Sequence, residues 1–236
     1  MKIFDCHIHI ENGLQAYDLD EVVKRNVIFN IVESYNKNAA SVPKGDTISL
    51  IFDYKHNLST VMNEIKGGKV NALKIHSRQQ KIKHSDYPEI TTLLAKTPDS
   101  LPVIVDAFYY GDEMEYMPSL EYIVHWAKVF PKRKIIVAHS GGYELLKYFF
   151  HLRSFTNVYY DLSFSLQYLA DSSVYADMVK LVKFTDKQRI MFGSDYHWAS
   201  PKLQLEVLQG IFHKLALSDT EKEMILYSNA ESVFGR

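Results

Sequence analysis

Eight short apolar runs rich in β-branched residues recur along the chain, at residues 2–9, 27–33, 48–54, 70–76, 102–108, 134–140, 157–163 and 189–195. Most are separated by amphipathic stretches. Leu120, Ile123, Val124 and Ala127 show the pattern: apolar residues three and four apart lay one helix face against a core. Helices are expected over Leu58–Lys66, Tyr87–Lys96, Ser119–Phe130, Tyr143–Arg153, Ser172–Phe184 and Lys202–Leu215. A short one is expected at Asp18–Lys24, and two more near Thr220–Tyr227 and Ala230–Phe234. The second unit is the weakest, because Ser34–Asp46 is polar and reads as a loop. Strands that alternate with helices pair in parallel through right-handed crossovers. Eight such units predict an α/β chain folded as a (β/α)8 TIM barrel, with residues 1–236 forming a single domain. The alternative is an open doubly wound sheet. It lacks support, because no Gly-x-Gly-x-x-Gly follows the first run.

Composition removes several function classes. The formal net charge of -1 offers no basic surface for nucleic acid or for an acidic membrane. Cys6 is the single cysteine, so an internal disulfide and a thiolate zinc cluster are both excluded. Its side chain is expected to be a small core residue facing away from the neighbouring histidines. No segment is long and apolar enough to cross a bilayer. The first run begins without a charged, apolar leader, so a cytoplasmic protein acting on a small molecule is expected. The sequence leaves a homo-oligomer open.

Ionisable residues gather at the ends of the apolar runs. Lys2-Ile3-Phe4-Asp5-Cys6-His7-Ile8-His9-Ile10 carries two histidines two apart. In a regular strand such residues share a face, so two imidazoles project side by side, close enough to share one metal ion. The fourth run ends in Lys74 and His76, the fifth in Asp106, the sixth in His139 and the eighth in Asp195. Barrel strands normally fill the interior with apolar side chains, and their C-terminal ends meet over one cavity. Taken singly, Asp195 reads as a helix cap, Asp106 as a turn residue and His139 as a packed core histidine. Falling together at the same end of their strands, they point to a shared site. Lys74 has three readings: a carboxylate's partner, a binder of an anionic substrate, or a carbamylated bridge between two metals. Arg78 and His197 are placed to help bind such a substrate, with a solvated loop position as the plainer reading. Tyr109, Tyr110, Asp112 and Glu113 follow the fifth run and are candidates to line the cavity. Ser140-Gly141-Gly142 offers backbone N–H groups to an anion, or is simply a tight turn.

Asp5-Cys6-His7-Ile8-His9 resembles the Asp-x-His-x-His signature of the amidohydrolase superfamily. Ala72-Leu73-Lys74-Ile75-His76, Leu101-Pro102-Val103-Ile104-Val105, Ala138-His139-Ser140-Gly141-Gly142 and Phe192-Gly193-Ser194-Asp195-Tyr196 resemble its amidohydrolase-related branch. Asn229-Ala230-Glu231-Ser232-Val233-Phe234-Gly235 is similar to that branch's C-terminal helix. The resemblance implies a metal-dependent (β/α)8 barrel. It makes His7, His9 and Asp195 ligands of one divalent metal, and His139 a residue for acid/base work or orientation. It also brings a departure, since Asp106 stands where the family usually has histidine. Asp106 either ligates through oxygen, binds through water, or marks a weakened site. Zn²⁺ is the favoured ion, and a second hard oxygen donor makes Mn²⁺ or Fe²⁺ more competitive.

The implied reaction is hydrolysis of an amide, ester or lactone in a small, anionic substrate. Asp195 would accept a proton from the attacking water and pass it to the leaving group. His139 would stabilise the charge developing on the carbonyl oxygen. Lys74, His76, Arg78 and His197 are the substrate-binding candidates. Two alternatives stand beside this reading. One is non-oxidative decarboxylation of an aromatic or enoic acid, which that branch also contains. The other is a barrel with a degenerate metal site and a binding role.

Overall fold

The computed structural model describes residues 1–10, 17–111, 116 and 119–235. Asp112 and Glu113, expected near the cavity, lie outside the described residues. The eight strands are β1 (Ile3–Ile8), β2 (Val22–Phe29), β3 (Thr47–Ile51), β4 (Ala72–Ile75), β5 (Val103–Val105), β6 (Ile135–Val137), β7 (Val158–Asp161) and β8 (Ile190–Met191). They form one parallel sheet in sequence order from β1 to β8. Backbone hydrogen bonds close the seam between its first and last strands. Cys6 N donates to Phe192 O (3.1 Å), Asp195 N to His7 O (2.7 Å) and His9 N to Tyr196 O (2.5 Å). The architecture is the expected (β/α)8 barrel.

Helices follow the strands in turn: α1 (Val32–Asn38), α2 (Leu58–Lys66), α3 (Tyr87–Leu94), α4 (Ser119–Val129), α5 (Leu145–Leu152), α6 (Ser165–Tyr168), α7 (Val174–Phe184), α8 (Pro201–Leu215), α9 (Asp219–Glu223) and α10 (Asn229–Phe234). Two expectations are corrected. Asp18–Lys24 is not a helix, because β2 already begins at Val22. Val22 and Val23 favour extended backbone, and Val22 N bonds back to Leu19 O at 3.4 Å instead of starting a helical ladder. Ser34–Asp46 is not all loop, since α1 runs to Asn38. Its polar face is solvated, while Val32 and Tyr35 are buried and the Tyr35 hydroxyl donates to Glu64 at 2.6 Å. α6 also falls in a stretch with no predicted helix.

Two apolar clusters hold these layers. The larger spans the sheet and the surrounding helices. The smaller gathers Phe4, Cys6, Ile28, Ala72, Ile104 and Ile136 from five of the strands, β1, β2, β4, β5 and β6, and is closed by Ala230, Val233 and Phe234 of α10. Phe4 and Cys6 therefore part company with Ile3 and Ile8, which join the larger cluster. Simple alternation fails in β1 because its pairing with β2 shifts register between Asp5 and Ile8. Pairing elsewhere sets the level of the site. Ile75 pairs with Val105, and Val105 with Val137. His76 and Asp106 therefore leave the sheet at the same height. Among the described residues, no helix is long and apolar enough to cross a membrane.

Candidate metal centre

His7, His9 and Asp195 are buried, and one ligand atom from each lies within 4.8 Å of the others. Asp195 Oδ1 is 3.4 Å from His7 Nε2 and 3.4 Å from His9 Nε2. Tetrahedral zinc, with N and O donors at about 2.0–2.1 Å, sets neighbouring donors roughly 3.3–3.4 Å apart. The donor set therefore fits a small divalent cation. The far side of each ring is tied down. His7 Nδ1 lies 2.5 Å from Asp161 Oδ2, and His9 Nδ1 lies 2.9 Å from the Ile28 carbonyl oxygen. Those acceptors put the proton on Nδ1 and leave the Nε2 lone pairs turned to the centre, as metal-binding histidines require. Burial, helped by the charge on Lys74, pushes His7 down to about 4, with Asp161 pulling the other way. Its imidazole is thus neutral near pH 7.

Backbone geometry serves the same end. Asp195 sits at φ 61°, in the left-handed region, with its N–H held by the His7 carbonyl. Such a conformation is costly for a non-glycine residue and persists where surrounding structure enforces it. Gly193 sits just before it. A Cβ there would lie 2.6 Å from Asp161 Oδ1 and 3.1 Å from the His7 Cβ. Glycine is what lets β8 pass this close to the two groups. Asp5 supports the turn by accepting from Ser194 N (2.8 Å), His7 N (3.2 Å) and the Tyr17 hydroxyl (2.7 Å). Burial raises its carboxyl to about 6 despite those bonds.

A second group faces the first across the cavity. Asp106 Oδ2 lies 3.3 Å from His139 Nε2, 3.7 Å from His76 Nε2 and 3.7 Å from Lys74 Nζ. Lys74 Nζ also lies 3.3 Å from His7 Nε2. Asp106 thus has three nitrogen neighbours of its own, and it is not in the group formed by His7, His9 and Asp195. Burial alone would raise Asp106, but the nearby His76, the His139 hydrogen bond and Lys74 hold it well below its ordinary value. His139 is lowered by burial and raised by more through its bond to Asp106 and the Asp195 charge. Its Nδ1 lies 3.0 Å from Ser163 Oγ and 3.2 Å from the Ser163 carbonyl oxygen, so both ring nitrogens face acceptors. His76 is pushed down to about 4, chiefly by burial.

The cavity between the two groups is about 130 Å³ and is lined by both, together with Asn30, Arg78, Phe108, Tyr110, Phe164 and Trp198. Lys74, His76 and Arg78 lie where the sequence pointed. The Arg78 guanidinium stacks 3.6 Å from the Tyr110 ring centroid. His197 does not line this cavity: its ring packs 4.8 Å from that of Trp198, which takes the lining position. Tyr109 also stays out of it, since its hydroxyl lies 2.6 Å from Ser119 Oγ. The Ser140–Gly142 segment is a tight turn with left-handed backbone. A Cβ on Gly142 would meet the Phe108 ring at 2.7 Å, so Gly142 lets that ring reach the cavity wall. Asp161 and Ser163 escaped the sequence reading. Asp161 carried a readable signal, since it ends the apolar run Val158-Tyr159-Tyr160 just as Asp106 and Asp195 end theirs.

The Amidohydrolase family profile matches residues 107–236, more than half of the chain. The chain belongs to the amidohydrolase family. No curated protein matches the sequence. Among solved structures it is similar to an uncharacterized TIM-barrel protein of Bordetella bronchiseptica, with a TM-score of 0.74 at 15% identity over 99% of this chain and 98% of that one. It is similar to 5-carboxyvanillate decarboxylase of Sphingomonas paucimobilis, with a TM-score of 0.60 at 10% identity over 99% and 98% of the two chains. Dihydroorotase of Saccharomyces cerevisiae gives a TM-score of 0.63 at 10% identity over 100% and 84%. At these identities the likeness is one of fold. The family typically binds a divalent metal, and its folds carry both hydrolases and decarboxylases.

Proposed function

We propose that this chain is a metal-dependent hydrolase acting on an amide, ester or lactone bond of a small anionic substrate. The observation that carries the reading is the convergence of the His7 Nε2, His9 Nε2 and Asp195 Oδ1 donors, spaced for one cation. His7, His9 and Asp195 would hold the ion, with Zn²⁺ favoured by the two imidazoles and Mn²⁺ or Fe²⁺ as alternatives. When bound, such an ion polarises a carbonyl and acidifies water.

The chain's own residues supply the rest. Asp195 is both a ligand and a base: burial would raise its carboxyl, but the neighbouring His9 and the charge on His139 hold it well below its ordinary value, so it is ionised and able to accept a proton. It accepts the proton of the attacking water and returns it to the leaving group. His139, kept protonated by Asp106, donates to the oxygen on which negative charge develops. Asp106 acts by orienting and charging His139, so the aspartate that replaces the family's histidine serves the second group of residues. Lys74 stays paired with Asp106, and Arg78 at the cavity wall binds the substrate's anionic group. His76, neutral and half-buried, lies beside Asp106 on the cavity wall.

One observation favours a second reading, decarboxylation of an aromatic acid. The Phe108 and Phe164 rings stand 6.1 and 6.2 Å from the His139 ring, forming flat walls beside the proposed acid. Two measurements test the readings. Elemental analysis of protein purified without chelator should return about one divalent metal per chain; protein devoid of metal, and without activity on metal addition, would leave only a binding role. Product analysis then decides the chemistry. Incorporation of ¹⁸O from water marks hydrolysis, and CO₂ release without it marks decarboxylation.

A further inference from the structure

The cavity at the candidate metal centre, about 130 Å³, is too small to enclose a substrate of ordinary size, since ligand sites usually run to roughly 300–1,000 Å³. Among the described residues it adjoins further space. An adjoining cleft of about 290 Å³ shares His9, Asn30, His76, Arg78, Tyr110 and Trp198 with it. A third cleft, about 390 Å³, shares Asn30, Ile31 and Gln79 with the second and lies over the ends of β2, β3 and β4. Asn30 lines all three. Its side-chain oxygen is enclosed and has no hydrogen-bond partner among the described residues. An unsatisfied buried acceptor is costly, and a donor on a bound molecule would satisfy it.

We propose that the substrate runs from the candidate metal centre past Asn30 into the cleft over β2–β4, and that this cleft holds a neutral hydrogen-bonding tail such as a carboxamide. The proposal rests on the reading of His7, His9 and Asp195 as a metal site. Charge selects the tail. Glu33 and Asp53 are matched in the outer cleft by Lys55 and Lys81, so the lining is formally neutral. Asp53 already accepts from His56 N (3.1 Å) and Asn57 Nδ2 (2.7 Å), and Lys55 already pairs with Asp86 at 2.8 Å. Glu33 and Lys81 add opposite charges that cancel, and the junction itself offers amide chemistry: Asn30 and Gln79, whose Nε2 reaches the Asn30 carbonyl at 3.3 Å. Asn30 is therefore a specificity-determining residue. Its side chain meets the substrate between the reacting end and the tail.

The test uses the full chain loaded with Zn²⁺ and metal-chelating hydroxamates. Acetohydroxamate occupies the centre alone, and longer alkyl hydroxamates ending in a carboxamide reach outward. Calorimetry reads the ratio of the two affinities within each variant. In the unaltered chain the best carboxamide-tailed probe should bind about tenfold tighter than acetohydroxamate, the worth of one or two hydrogen bonds. That ratio should fall to near one in Asn30→Ala. It should also fall in Ile31→Trp, which fills the outer clefts and leaves Asn30 in place. Tails of equal length ending in carboxylate or ammonium should gain less than the carboxamide. A ratio near one in the unaltered chain, a ratio that survives both substitutions, or a charged tail that binds best would overturn the proposal while leaving the metal site standing. If acetohydroxamate itself does not bind, the metal-site reading fails and the extended groove falls with it.

Discussion

The two sides of the cavity use the same residue types in opposite ways. On the side of β1 and β8, each imidazole spends its far nitrogen on an acceptor, Asp161 or the Ile28 carbonyl, and turns its near nitrogen toward Asp195 Oδ1, with Lys74 Nζ also beside that of His7. On the side of β4–β6, Asp106 gathers His139, His76 and Lys74 around one carboxylate. The first side keeps lone pairs pointed at a common centre and the second pairs its charges internally. Histidine and aspartate therefore say little about a site until the partners of every nitrogen and oxygen are known.

The contrast can be broken from either side. His9→Ala should abolish metal binding and lower activity by about 10³-fold or more, because it removes one of the three donors. Asp106→Asn should keep the metal, lose roughly 10- to 100-fold in activity, and bring the His139 pKa down. Metal analysis and an NMR titration of His139 check the pair of outcomes. Loss of metal in Asp106→Asn would make that carboxylate a ligand after all. Gly193→Ala should come next. Its new methyl group would press on Asp161 and His7 and cost about 1–3 kcal/mol, read by denaturant unfolding beside a metal titration.

Asp161→Asn sharpens the comparison, since it keeps the shape and removes the charge behind His7. Metal affinity should fall about 10- to 100-fold, as when other groups that orient a metal-binding histidine are changed, and competition with a chelator measures it. Stability should also depend on pH. In metal-free protein His7 and His76 lie near 4, below their ordinary 6.5. Their contribution to stability is complete above pH 6.5 and is lost as pH falls through 4. Asp5 is raised from 3.8 to about 6, so its contribution is complete below 3.8 and is lost as pH rises through 6. Two imidazoles outweigh the Asp5 carboxyl and the opposing His139, which is raised above its ordinary value, so the metal-free chain should be less stable at pH 4.5 than at pH 7. Thermal unfolding across that range checks it, and an apoprotein equally stable at both would contradict these buried states.

The barrel was legible because each strand is a compact apolar run flanked by turn residues, and a parallel sheet leaves few other ways to bury eight of them. Boundaries were less so. Asp18, Asp20, Glu21 and Lys24 look like a solvated helix face, yet the β-branched Val22 and Val23 already belong to β2. α1 was hidden because its buried side, Val32 and Tyr35, is too narrow to show as a period. At the site, spacing marked His7 and His9, strand-end position marked Asp195, and the family resemblance joined the three; the structure brings their donor atoms together. Spacing could not say which way a carboxylate turns. Strand-end position and the family resemblance left Asp106 open as a ligand through oxygen, a ligand through water or the mark of a weakened site. Only the coordinates place His139 and His76 beside it. Asn30 gave no sign in sequence, because an asparagine after a strand is ordinary turn chemistry.

The seam between β1 and β8 carries one further consequence. The three donors straddle the junction where the cylinder's two margins meet, and the contacts there join residues nearly the whole chain apart, as in Asp195 N to His7 O. Such distant contacts are the slowest to form. An ion gripped from both margins would act as a clasp on the last gap to shut, so its capture and the final locking of the cylinder would be one event.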